Sequence, residues 1–262
     1  MEKIITLLKT IYFPIRRLVH KISFFLSVNW FKTIYLNFKM LPFNQAKKIP
    51  IIIYGPMKFY GLKGEIIINS SIKMGMIGLG QKFEMQTIDK GIAEINIIGK
   101  LIFEGSAFIG KDFFMHVAKG ATLQIGKMVR IGSDVKVICK KNITIGEWTG
   151  IGYDSQISDS NYHPMKNTIT DELYKQEKSI SIGEYNSIAN RCSIMGGTIT
   201  LDNCVIASNS LCNKNYEEYG SYVLIGGIPA KLLKENYGRD LESEKERLFK
   251  NLIKWHSYKE FL

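Results

Sequence analysis

Residues 180–212 read ISIGEYNSIANRCSIMGGTITLDNCVIASNSLC. Taken in sixes, Ile182, Ile188, Ile194, Thr200, Ile206 and Cys212 fall at one phase, and Gly183, Ala189 and Ala207 follow three of them. A period of six is neither the 3.6 of a helix nor the alternation of a hairpin strand. It is the hexapeptide signature of a parallel β-helix, in which each unit supplies one short strand and one corner. The aliphatic residue is expected to point inward and stack on its equivalent one turn along. The small residue is expected to let the backbone bend at the corner. Three units make a triangular turn of roughly eighteen residues.

Upstream the same period recurs with interruptions. Ile97, Phe103, Ile109 and Met115 keep phase, then Ile125, Ile131 and Val137, then Ile145, Ile151 and Ile157. Ile77-Gly78 is an isolated unit, and the β-branched runs at 51–53 and 66–68, bounded by Pro50, Gly55-Pro56 and Gly61, should open the repeat. Near the other end, Ile225-Gly226 reads as a last strand and 227–231 as a turn leaving the stack. The fold class expected is therefore all-β, with residues 49–235 as the repeat domain.

Two flanking segments differ. In residues 1–48 nine lysines and arginines face one acid, Glu2, among many aromatic and aliphatic residues. This predicts short helices, basic on one side and aromatic on the other. They serve either as a cap on the first turn or, through residues 1–40, as a peripheral anchor on an anionic membrane. Residues 236–262 predict a C-terminal surface helix closing the open end, with Leu248, Leu252, Ile253 and Trp255 near helical spacing. No signal peptide is read at the start, and the longest uncharged apolar run, 22–31, is too short for a membrane span. These features predict a cytoplasmic protein, with the membrane's inner face as its peripheral site.

The chain of 262 residues carries 35 Lys and Arg against 24 Asp and Glu, a formal net charge of +11. That balance favours phosphorylated ligands, anionic lipid or other polyanions. Nucleic acid is set aside because no nucleic-acid-binding motif is present. Cys139, Cys192, Cys204 and Cys212 form no CxxC pair and are expected to be buried free thiols of the wall.

Residues 158–179, SDSNYHPMKNTITDELYKQEKS, break the period completely. A loop this long on a regular scaffold usually carries function. It contains His163, whose imidazole can take a proton from a hydroxyl near neutral pH. Asp159 or Asn161 is expected to hold the other ring nitrogen and fix the tautomer. His116 follows Met115 at a wall position, and is read either as structural or as turned toward a substrate groove. His20 and His256 receive no role. Neither a phosphate loop of the GxxxxGK[ST] kind nor a GxSxG elbow is present.

The hexads, the inserted loop with Asn161-Tyr162-His163-Pro164, the coils 182–212 and the ending GGIPAKLLK at 226–234 resemble the left-handed β-helix acyltransferases. The nearest group is the maltose- and colanic-acid-type O-acetyltransferases. The segment 29–55 is similar to the leader of acetyltransferases of bacterial surface-polysaccharide synthesis. The resemblance implies a left-handed parallel β-helix with helical N- and C-terminal appendages, assembled as a homotrimer. It implies acetyl-CoA as co-substrate in a cleft between subunits, a carbohydrate acceptor, and His163 as general base. It carries CoA contact onto Ala189, Ser208, Asn213 and Lys214, with Lys214 and Lys231 for the phosphates. The chain departs from the group at Ser187, where Trp is frequent. It departs again at Thr200-Leu201, Asn213-Lys214 and Ile228-Pro229-Ala230. Three alternatives stay open: an N-acyltransferase on a nucleotide-linked amino sugar, a non-catalytic β-helix scaffold or binding subunit, and a zinc β-helix carbonic anhydrase. The last lacks a third nearby histidine, and no metal is expected.

Overall fold

The computed structural model describes residue 22, residues 25–82 and residues 91–252, the side chains of the last helix being followed as far as Glu246. His20, His256, the apolar positions between Ile4 and Val19, Ile253 and Trp255 lie outside what it describes, as do the side chains of Leu248 and Leu252.

The described chain is mostly short parallel strands in three sheets. The first three strands, Ile51–Ile53, Met57–Leu62 and Glu65–Ile68, each start a different sheet. From there to Leu211–Cys212 the chain visits the sheets in rotation, each strand pairing in parallel with the one three before it, and Leu224–Gly227 then pairs in parallel with Val205–Ile206 of sheet I. Sheet I has nine strands, sheet II seven and sheet III six. In the last coils Ser187 pairs with Val205 and Ser193 with Leu211, the expected eighteen residues on. Earlier coils are longer: Phe108 pairs with Arg130 and His116 with Ile138. Those extra residues sit in wider corners and account for the phase shifts in the sequence.

The residues in hexad phase form the core. Ile97, Phe103, Ile109, Ile125, Ile131, Ile145, Ile157, Ile182, Ile194, Ile206 and Ile225 are each almost wholly buried in one continuous cluster. All four cysteines are free and buried. Burial pushes the thiols of Cys139, Cys204 and Cys212 up to about 12, with the Asp159 carboxylate adding to the effect at Cys139.

The corner glycines act differently from expectation. The left-handed backbone falls on other residues, among them Asp112, Met128, Asp134, Trp148, Asp154, Tyr185, Arg191, Asn203 and Asn209, all with φ between 55° and 61°. Gly126, Gly146 and Gly152 have ordinary φ. A Cβ on any of them would come within 2.4–2.6 Å of backbone in the next corner. Glycine is required there by close approach of successive coils, not by the bend.

Helix α1 (Trp30–Met40) closes the first coil. The edge strand Ile51–Ile53 would otherwise present unpaired backbone. The Ile51 N–H donates to Asn37 Oδ1 (3.2 Å), and Asn37 Nδ2 donates to the Ile51 carbonyl (2.7 Å). The Ile53 N–H donates to Thr33 Oγ1 (3.0 Å), and the Asn29 N–H donates to the Ile53 carbonyl (2.8 Å). The inner face of α1 is Thr33, Leu36, Asn37 and Met40, while Phe31, Ile34, Tyr35 and Phe38 point outward. A short helix α2 (Phe43–Ala46) follows.

At the other end the chain does not simply leave the stack after Gly227. It reverses, and Ala230–Lys234 pairs antiparallel with Leu224–Gly227 to extend sheet I. Helix α3 (Leu241–Leu252) does not close that end either. It lies on the outer face of sheet I, where Leu241 packs on a cluster of Phe108, Met128 and Trp148. Arg130 reaches Glu244 at 2.7 Å, and Arg239 pairs with the same carboxylate. No helix among the described residues is long and apolar enough to cross a membrane.

Asn37→Ala strips both partners from Ile51 and should destabilise the fold by about 2–6 kcal/mol in urea unfolding, two buried polar groups at about 1–3 kcal/mol each. Phe31→Ser, on the outer face, should stay within about 0.5 kcal/mol of wild type. Equal effects of the two changes would contradict the capping role.

Candidate active site

The 158–179 excursion leaves sheet II after the strand Gln156–Ser158 and rejoins sheet III at Ile180–Ile182. It is a two-armed finger: Ser160 bridges Glu177 near its base, and Lys166 bridges Leu173 near its tip. The Asn161 N–H donates to the Gln176 carbonyl at 3.0 Å, and the His163 N–H donates to the Asn161 carbonyl at 2.7 Å. At the tip, Asn167 Oδ1 accepts from Ile169 N–H at 2.9 Å, an Asx-type turn.

Asp159 is fully buried at the base. Its carboxylate accepts three backbone N–H groups from the corner between sheets II and III: Lys140 at 2.7 Å, Lys141 at 2.8 Å and Asn142 at 2.8 Å. Its own carbonyl accepts from Lys178 N–H at 2.9 Å, joining the returning arm. This corrects the expected role. The carboxylate is turned into the wall and clamps the loop's root to the preceding corner, so it does not orient His163. Gly196 allows the fit, since a Cβ there would sit 3.0 Å from the carbonyl oxygens of Asp159 and Lys178.

His163 lies on the outgoing arm between the two bridges and is exposed. Its ring makes no hydrogen bond to another described residue, so both nitrogens are open to a ligand. Beside it, Tyr162 is covered by the Lys140 ammonium, 4.4 Å from the ring centroid. The finger thus leans back over the coil that carries Lys140.

Below the finger is a cleft of about 290 Å³. Asn161, Gln176 and Lys178 line it from the loop, and Met195, Gly196, Leu211 and Asn213 from the wall. Of the residues singled out in the sequence, it gathers Asp159, Asn161 and Asn213. Ala189 and Ser208 lie elsewhere, at the corner from sheet I into sheet II, separated from it by the length of strand Ser193–Met195, about 10 Å at 3.3 Å per residue. There the Ser208 hydroxyl donates to Asn190 Oδ1 at 2.7 Å. Lys214, exposed, bonds Glu218 Oε1 at 2.9 Å and the Tyr219 hydroxyl at 3.3 Å; these partners raise its pKa. Lys231 is exposed on the antiparallel strand that ends sheet I. Within one chain, then, Asn213 lies in the cleft below the finger, with Lys214 next in the chain, while Ala189 and Ser208 lie at the other corner.

A second groove, of about 310 Å³, went unread in the sequence. It lies between sheet I and α3 and is lined by Arg130, Gly150, Ser187, Arg239 and Glu244 among others. Arg130 and Arg239 are too far apart in sequence for any spacing rule to join them. Among the described residues no three His, Cys, Asp or Glu side chains are placed to hold a metal ion.

No protein-family model matches the chain, and no curated protein matches it. Solved structures do. The polySia-specific acetyltransferase NeuO is 21% identical over 78% of this chain and 87% of its own, with a TM-score of 0.45. The polysialic acid O-acetyltransferase OatWY is 17% identical over 69% of this chain and 89% of its own, with a TM-score of 0.37. AntD, an N-acyltransferase from Bacillus cereus seen with dTDP and coenzyme A, is 11% identical over 81% and 98%, with a TM-score of 0.42. All three are acyltransferases.

Asp159→Asn replaces two carboxylate oxygens by one carbonyl and turns an NH2 group toward N–H donors. It should cost about 2–4 kcal/mol in urea unfolding, because hydrogen bonds to a charged group are worth about 1.5–3 kcal/mol each. It should also admit protease to residues 160–178. Wild-type stability and protease resistance in this variant would show that the clamp is dispensable.

Proposed function

We propose that the chain is an acetyl-CoA-dependent O-acetyltransferase that acts on a sugar hydroxyl in surface-polysaccharide assembly, built as a trimer of left-handed β-helices. The observation that carries this reading is the placement of His163. It is an imidazole with both nitrogens open, held on a finger whose root is clamped and whose Asn161 lines a cleft walled by Met195, Gly196, Leu211 and Asn213. The sequence resemblance at Asn161–Pro164 and through 182–212 supports it.

In this reading His163 accepts the proton of the acceptor hydroxyl as the oxygen attacks the thioester carbonyl. Backbone N–H groups of the wall stabilise the negative charge on that carbonyl oxygen. The imidazolium then returns its proton to the departing thiolate, so the base is restored each turnover. Asn161 faces the cleft and is assigned to substrate positioning. The strip Gly152, Ala189 and Ala207 leaves the sheet I–II corner without bulky side chains, and this fits the close approach of a slender pantetheine arm. Ser208, Asn213, Lys214 and Lys231 are assigned to its polar and phosphate groups. Because Ala189 and Ser208 lie at a different corner of the chain from the finger, while Asn213 lines the cleft beneath it, the reading places the Ala189–Ser208 corner of a neighbouring copy against that cleft.

His163→Ala should lower transfer by about 10²–10⁴-fold, the usual worth of a general base, while acetyl-CoA still protects the variant in thermal melts. Near-normal turnover would remove His163 from the mechanism. Coupled CoA-release assays with neutral and amino sugars separate O- from N-transfer.

The exposed outer face of α1, Phe31, Ile34, Tyr35 and Phe38, with Phe43 beyond and Lys39, Lys47 and Lys48 around it, supports a peripheral contact with anionic membrane. In vesicle flotation the full chain should rise with phosphatidylglycerol-rich liposomes, and Phe31→Ser/Phe38→Ser should not. Equal flotation of the two proteins would refute this contact.

A further inference from the structure

His116 stands outside the site described above, yet its surroundings are specific. It lies on the strand Phe114–Val117 between Met115 and Val117, both buried, so its own ring is on the outer face of sheet II. The strand register places it in one outward row: Asn96, His116, Ile138, Ser158 and Met195. Met195 is a wall residue of the cleft below the finger, and Ser158 adjoins the finger's root. The row therefore runs from His116 to the proposed active site, in steps of about 4.8 Å per strand.

Asn96 fixes the state of the ring. Its Nδ2 lies 3.0 Å from His116 Nδ1. An amide NH2 group only donates, so Nδ1 accepts and the imidazole proton sits on Nε2. The orientation of Asn96 has its own cause. A register shift between Phe59 and Gly61 sets Gly61 opposite Asn96. A Cβ on Gly61 would come within 2.5 Å of Asn96 Oδ1, so the missing side chain is the space that the amide oxygen occupies. Burial, and then the charge of Lys140, lower the pKa of His116 below its ordinary value and keep the ring neutral at pH 7. Lys140 is also the residue that stacks on Tyr162, beside His163. The finger thus leans toward the His116 end of the row. Nε2–H makes no hydrogen bond to another described residue.

We propose that His116 is a ligand-binding residue whose Nε2–H, held outward by Asn96, donates a hydrogen bond to a hydroxyl or carboxylate oxygen of the acceptor sugar lying along the outer row of sheet II. The identity of the ligand as an acceptor rests on the transferase reading; the tautomer and the binding of sugar oxygens do not. Lys140 beside the ring adds attraction for a carboxylate.

The test uses the full chain labelled with ¹⁵N-histidine. At pH 7.5 His116 should show a protonated Nε2 and an unprotonated Nδ1. Asn96→Asp, which accepts instead of donating, should move the proton to Nδ1. Glucose and sodium glucuronate are titrated in separate arms up to about 100 mM, enough to fill a millimolar site. A shift of His116 Nε2 in either arm supports the subsite, and a shift with glucuronate alone assigns it to carboxylates. No shift in either arm overturns it. In transfer assays His116→Ala should raise the acceptor KM roughly tenfold, about the worth of one hydrogen bond, with kcat and the KM for acetyl-CoA within about twofold. His116→Gln, whose amide nitrogen falls near the Nε2 position, should recover most of that loss, and His116→Asn should not. An unchanged acceptor KM in the alanine variant also overturns the proposal. A wild-type protein that transfers to no sugar but shows the Nε2 shift would remove the transferase reading and leave the subsite standing.

Discussion

Successive corners of this stack touch backbone to backbone, and everything else is arranged around that contact. At Gly126, Gly146 and Gly152 there is no room for even one methyl group between a coil and the next. Coils pressed this closely cannot slide or rotate against each other without losing their hydrogen-bond ladders. Each inward isoleucine therefore meets its equivalent directly, and the core becomes a continuous column. A wall so regular has a fixed outer geometry, on which a loop or a row of side chains can be positioned to within a rotamer.

Such a column has ends, and the ends show where the sequence was legible and where it was not. The period of six was plain because it repeats, and the inward residues at 97–157 and 182–225 could be named without coordinates. Thr33 and Asn37 could not. Their task is to supply hydrogen-bond partners to a strand some fifteen to twenty residues away, and nothing in their local spacing differs from an ordinary helix surface. The aromatic residues around them invite the opposite orientation, with Phe31, Tyr35 and Phe38 inward. The unpaired backbone of Ile51–Ile53 outweighs that preference, because a buried N–H without a partner costs more than one exposed ring. Glycine was located correctly and explained wrongly for a related reason. Its φ is a property of one residue, whereas its clearance depends on the next coil.

The candidate site divides in the same way. The place of His163 on an inserted, exposed loop was legible from the break in the period. Asp159 was legible as important, but its direction was not, since a carboxylate four residues from a histidine looks the same in sequence whether it faces the ring or the wall. Three amides from 140–142 decide the matter, and they belong to the previous coil. The pairing of Asn96 with His116 was equally invisible. It depends on a strand register and on a glycine in a third strand.

The clamp at Asp159 has one more consequence. It anchors the root of the finger within the wall, and the bridge between Ser160 and Glu177 holds the two arms together directly above it. Residues 167–172 lie past a second bridge and contribute nothing to either fastening. That tip can lengthen, shorten or change composition without transmitting strain to His163 or to the coils below. The scaffold in this way separates what must stay fixed from what is free to vary: the tip can change while the cleft beneath it keeps its geometry.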